Sequence, residues 1–75
     1  MIQHKIKLPT EEVPRFVEAA SKCDFDIDIA YNRYRVDAKS ILGVYGLDLS
    51  QELVVSYCGY NPEFEAVLKS FAKAC

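Results

Sequence analysis

The side chains of this 75-residue chain that could attack, transfer or ligate are few and far apart: one histidine, His4, and three cysteines, Cys23, Cys58 and Cys75. No Cys-x-x-Cys pair occurs, and one imidazole adds little to a mixed Cys/His set, so neither a metal nor any other cofactor is expected. An odd count of widely spaced thiols fits three free cysteines in a reducing compartment. Ser40 precedes an apolar run and carries an oxygen suited to capping a helix by accepting a free backbone N–H. In that run Ile41, Leu42, Val44, Tyr45, Leu47 and Leu49 are too many for one helix face. If Val44, Leu47 and Leu49 point inward, then Ile41, Leu42 and Tyr45 stay near the surface as a contact patch, with Lys39 beside them. No residue is expected to be catalytic, and the chain is not expected to be an enzyme.

These groups must be held by elements that the apolar pattern specifies. Ile2, His4, Ile6 and Leu8 alternate with Gln3, Lys5 and Lys7, which predicts a half-buried strand over residues 2–8 and makes His4 a strand residue on the Ile2 and Ile6 side. Val13, Phe16, Val17 and Ala20 follow at i, i+3, i+4, i+7, the stripe of a helix running to Cys23, with Pro14 confined to its first turn. Phe25, Ile27, Ile29 and Tyr31, then Tyr34, Val36 and Ala38, alternate as two strands around Asn32-Arg33. Asn32 tolerates a positive φ, but Arg33 stands where Gly would relieve strain, so a tight hairpin and a longer turn both remain open. A short helix from Ser40 leads through a loop to a last strand carrying Leu53, Val55 and Tyr57. Asn61-Pro62-Glu63 then supplies a cap, a pre-set φ and a carboxylate for a final helix that buries Phe64, Val67, Leu68 and Phe71.

The chain is expected to form a single domain, residues 1–75, hiding roughly 60% of the surface its unfolded form exposes. An apolar share of 51% with only three Gly and three Pro supports a folded core. The net charge of −2 is spread without a run of one sign, which argues against nucleic acid and anionic membrane as partners. No apolar run nears the ~18 residues of a membrane span, and the first residues lack the apolar stretch of a signal peptide, so the cytoplasm is the expected location. The element order β-α-β-β-α-β-α predicts an α+β fold, a four-stranded antiparallel sheet with its helices on one face.

The stretch Val36-Asp37-Ala38-Lys39-Ser40-Ile41-Leu42-Gly43-Val44-Tyr45-Gly46-Leu47-Asp48-Leu49 resembles the histidine-containing phosphocarrier (HPr) family of the sugar phosphotransferase system. The similarity continues through Glu52-Leu53-Val54-Val55-Ser56 and Gly59, and reaches back through Phe16-Val17-Glu18-Ala19-Ala20-Ser21-Lys22 and Tyr31-Asn32. It implies the open-faced β-sandwich of that family, although the ferredoxin-like strand order fits the same succession of elements. It also implies that Ile41, Leu42 and Tyr45, flanked by Lys39, form a protein-docking surface. Ser40 matches a serine that a dedicated kinase phosphorylates in one branch of the family, a modification that controls binding to a transcription factor. The expected partners are therefore phosphotransferase-system enzymes, a serine kinase or a transcription regulator.

One departure carries consequences. Family members that carry phosphate have a Gly-Leu/Ile-His-x-Arg-Pro loop after the first strand, where the imidazole accepts the phosphoryl group. Here the interval reads Pro9-Thr10-Glu11-Glu12-Val13-Pro14-Arg15 and contains no histidine. Three readings follow: a non-catalytic regulatory or docking module, a working phosphocarrier that would have to use His4, and a ferredoxin-like domain that binds a ligand or pairs through a sheet face bearing Val54, Cys58, Asp26 and Asp28.

Overall fold

A computed structural model of the chain describes residues 1–72. Strand β1 is Ile2–Ile6, a 3-10 turn covers Thr10–Glu12, and helix α1 is Val13–Ser21. Strands β2 (Ile27–Tyr31) and β3 (Tyr34–Asp37) precede the short helix α2 (Ile41–Tyr45), and β4 (Leu53–Tyr57) precedes α3 (Pro62–Phe71). The sheet order is β1-β4-β2-β3, with every neighbouring pair antiparallel. A ferredoxin-like sheet would hold its first strand inside and its last at an edge. Here the first strand is at the edge and the last is inside, which separates the two arrangements in favour of the open-faced sandwich.

Alternation decides which face the helices cover. Leu53, Val55 and Tyr57 of β4 lie beside Ile6 of β1 and Ile27 and Ile29 of β2, all buried on one face. Phe16 from α1 and Phe64 from α3, both fully buried, meet above that floor at 6.0 Å between ring centres. Tyr57 meets Phe64 edge-on at 5.3 Å. Each large side chain so placed contributes about 1.5–3 kcal/mol relative to exposure. The opposite face carries Gln3, Lys5, Val54, Asp28, Ala30 and Arg35, with Arg35 3.9 Å from Asp28 across the ladder.

Several boundaries differ from the sequence pattern. β1 ends at Ile6, because Lys7 donates its N–H to the Phe71 carbonyl at 3.0 Å instead of continuing the ladder. Leu8 is nevertheless buried. α1 stops at Ser21, and β2 starts at Ile27, leaving Phe25 to stack on Tyr57 at 5.8 Å. The β2–β3 hairpin is tight: Tyr31 pairs with Tyr34, and Asn32, with φ 54°, is the non-glycine residue that takes the left-handed conformation. Arg33 has a negative φ, so the strain that a glycine would have relieved does not arise.

Gly59 has no room for a side chain. A Cβ there would lie 2.5 Å from the ring of Phe25, and an aromatic ring wedged against Tyr57 cannot swing aside freely. Gly59→Ala is expected to lower the unfolding free energy by about 1–3 kcal/mol, the usual cost of overpacking, as read from a urea denaturation midpoint.

Candidate functional site

The segment ahead of α1 is acidic and closed on itself. Glu12 donates its N–H to the Pro9 carbonyl at 2.9 Å, which winds Thr10–Glu12 into the 3-10 turn and brings two carboxylates to the positive end of α1. Arg15, one turn later, is engaged locally. Its Nη1 is 3.6 Å from Glu12 Oε1, and its guanidinium lies 5.5 Å from the centre of the Phe71 ring.

The single imidazole is elsewhere. His4 sits in β1 opposite Val55, half-exposed, with Nε2 4.0 Å from Glu65 Oε1 of α3. The other oxygen of Glu65 accepts the hydroxyl of Tyr57, whose ring centre is 6.1 Å from that of His4. Burial, followed by the hydrogen bond to Glu65 and its charge, pushes the Tyr57 phenol well above its ordinary range. This is a structural cluster, which locks the flank of α3 onto β1.

Around Ser40 the cap and the outward apolar side chains follow the sequence pattern, whereas Lys39, expected beside that patch, does not. Ser40, itself exposed, caps α2: its Oγ accepts the Gly43 N–H at 3.2 Å, and its carbonyl accepts Val44 N–H at 3.0 Å. Val44 and Leu47 are buried, while Ile41, Leu42 and Tyr45 are 40%, 82% and 43% exposed. The three apolar side chains are thus together on one short helix, immediately after the serine. Lys39 reaches the other way, donating from Nζ to the Cys23 carbonyl at 3.0 Å. Cys23 and Cys58 are free thiols, the first buried and the second exposed; Cys75 lies outside the described residues. Burial pushes the Cys23 thiol up, and the charge of Lys39 partly offsets that.

Two exposed tyrosines were not legible beforehand as surface groups. Tyr34, 71% exposed, shares the inward parity of Val36, but it flanks the hairpin turn on an edge strand that no helix covers at that point. Tyr60, 73% exposed, lies in the connection before α3. Parity assigns a face to a strand residue and says nothing about how far the covering helix extends.

A family model described as the PTS HPr component phosphorylation site matches residues 2–74. The chain belongs to the HPr family. Among solved structures it is similar to HPr-C-His from Thermoanaerobacter tengcongensis, at 24% identity and a TM-score of 0.76, with 93% of each chain covered. It is similar also to the phosphocarrier protein HPr of Bacillus anthracis str. Ames, at 21% identity and a TM-score of 0.76, covering 93% of this chain and 95% of that one. These likenesses establish the HPr fold. No curated protein matches the chain. Among the described residues no group of three or more His, Cys, Asp or Glu side chains is placed to hold a metal ion, and no helix is long and apolar enough to cross a membrane.

Two measurements follow from this geometry. Ser40→Ala should cost about 1 kcal/mol of stability by removing the α2 cap, and Ser40→Gly only a few tenths, in urea unfolding. A phenol whose folded pKa is raised contributes stability that is complete below its unfolded value of about 10 and is lost as pH rises toward the folded one. The unfolding free energy should therefore fall above about pH 10, and Tyr57→Phe, which has no such proton, should lose less over the same interval.

Proposed function

We propose that this HPr-family chain is a regulatory or protein-docking module that holds no phosphoryl cargo itself. The observation that supports this reading is the chemistry ahead of α1, where the chain carries two acidic residues, Glu11 and Glu12, and no histidine. Arg15 is engaged by Glu12 and Phe71, and the lone imidazole stands in β1 against Glu65. A phosphocarrier needs a nucleophile at an anion-stabilising helix terminus with a cation beside it. Two carboxylates supply the opposite sign.

In this reading the chain is not an enzyme and works in the cytoplasm. It docks through Ile41, Leu42 and Tyr45 onto phosphotransferase-system enzymes, a serine kinase or a transcription regulator. Ser40 is the regulated position. A phosphate there would add about −1.5 to −2 charge next to that apolar face, changing which partner surface it fits.

Incubation with phosphoenolpyruvate and enzyme I should yield no acid-labile phosphohistidine. Stoichiometric labelling that disappears in His4→Ala would establish the carrier reading in its place. Tyr45→Ala should weaken binding to a phosphotransferase-system partner by about tenfold or more in titration calorimetry, as for an aromatic anchor, without changing the far-ultraviolet dichroism.

A further inference from the structure

We infer that Lys39 is a positioning residue: its ammonium latches the connection after α1 to the start of α2 and thereby fixes how Ile41, Leu42 and Tyr45 are presented. The consequence for docking rests on the function proposed above; the latch itself does not.

The bond that forms the latch joins residues sixteen apart, Lys39 Nζ to the carbonyl of Cys23 at 3.0 Å. Cys23 follows the last turn of α1, donating its own N–H back to Ala20 at 3.1 Å. Its carbonyl therefore lies at the negative end of that helix, where an ammonium is welcome both as hydrogen-bond donor and as charge. Lys39 is half-buried, and no ion pair within 4.0 Å among the described residues includes it. The carbonyl is thus the partner to which its charge is committed, and a charge-assisted bond is the stronger kind.

The backbone on either side leaves this side chain little freedom. Ala38, fully buried, donates to the Ile27 carbonyl at 2.9 Å. Lys39 N–H donates to Asp37 Oδ1 at 2.9 Å, and Ser40 N–H to the Asp37 carbonyl at 3.0 Å. The next residue is the cap of α2. A helix of five residues has almost no stability of its own, so its orientation is set by what ties its ends down. Val44 and Leu47 tie the inner face, and the Asp37–Ser40 turn with the Lys39 latch ties the beginning.

Cys23 provides a built-in reporter, since the residue is only 4% exposed and its thiol reacts when the connection opens. The test uses the full chain with Cys58→Ser and Cys75→Ser, so that Cys23 is the one thiol, and follows its reaction with a maleimide. Lys39→Met, which keeps the stem and removes the charge, should react about fivefold faster, equivalent to about 1 kcal/mol at 1.4 kcal/mol per tenfold. Loss of the Lys39 charge by itself would disfavour the thiolate and slow the reaction, so acceleration reports opening. Lys39→Arg should restore a rate near the parent's. Amide exchange at Gly43 and Val44, both bonded to Ser40, should quicken in Lys39→Met and not in Lys39→Arg. A Lys39→Met rate at or below the parent's, an arginine variant as fast as the methionine one, or unchanged Gly43 and Val44 exchange would each overturn the inference. Tyr45→Ala keeps the two failures apart: it should leave the thiol rate unchanged, and a Tyr45→Ala chain that still binds its partner fully would sink the docking reading alone.

Discussion

Strand β4 is hydrogen-bonded on both of its sides, and everything else in this small domain leans on that. On one side it pairs with β1 from Ile2↔Tyr57 to Ile6↔Leu53, and on the other with β2 from Ile27↔Tyr57 to Ala30↔Val54. Without it the edge strand and the β2–β3 hairpin would be separate pieces with nothing in common. With it, Leu53, Val55 and Tyr57 become the middle row of one apolar floor, and α1 and α3 can bury Phe16 and Phe64 against it together. A single covered face is a natural solution for a domain of this size, since one layer of helices over one sheet already encloses a core.

The same floor explains how chemistry is distributed. Its ends hold the polar groups, and they are used in pairs: Tyr57 with Glu65 beside His4, Arg15 with Glu12 over Phe71, Lys39 with the Cys23 carbonyl. The first two fasten a helix to a neighbouring element, and the third joins the connection after α1 to the residue ahead of Ser40. Helix α2 differs, since it leaves three large apolar side chains, Ile41, Leu42 and Tyr45, exposed on one short helix. In the function proposed above, carboxylates ahead of the first helix and exposed apolar side chains on α2 are the features that favour contact over cargo.

Most of this was legible in residue order. The alternation of Ile27, Ile29 and Tyr31 gave a strand and its face, Asn61-Pro62 gave a helix start, and Ser40 gave a cap, because each depends on neighbours a few residues away. What stayed hidden depends on distant partners. The end of β1 at Ile6 is dictated by Phe71, the exposure of Tyr34 by where the helices stop, and the direction of the Lys39 side chain by a carbonyl sixteen residues earlier. The choice between two strand orders is of the same kind, since both place the same residues inward. Resemblance in the Lys39–Leu49 stretch supplied what periodicity could not.

The position of β4 has a consequence for how the molecule is made. Ile2 finds its ladder partner only at Tyr57, so the first strand has nothing to pair with until a strand far along the chain is in place. Before then the β2–β3 hairpin can form, but apart from the Ile29↔Val36 pair its apolar row faces water. Closure of the sheet is therefore a late, long-range event, of the slow kind, and chains caught before it would present sticky, half-finished edges to one another.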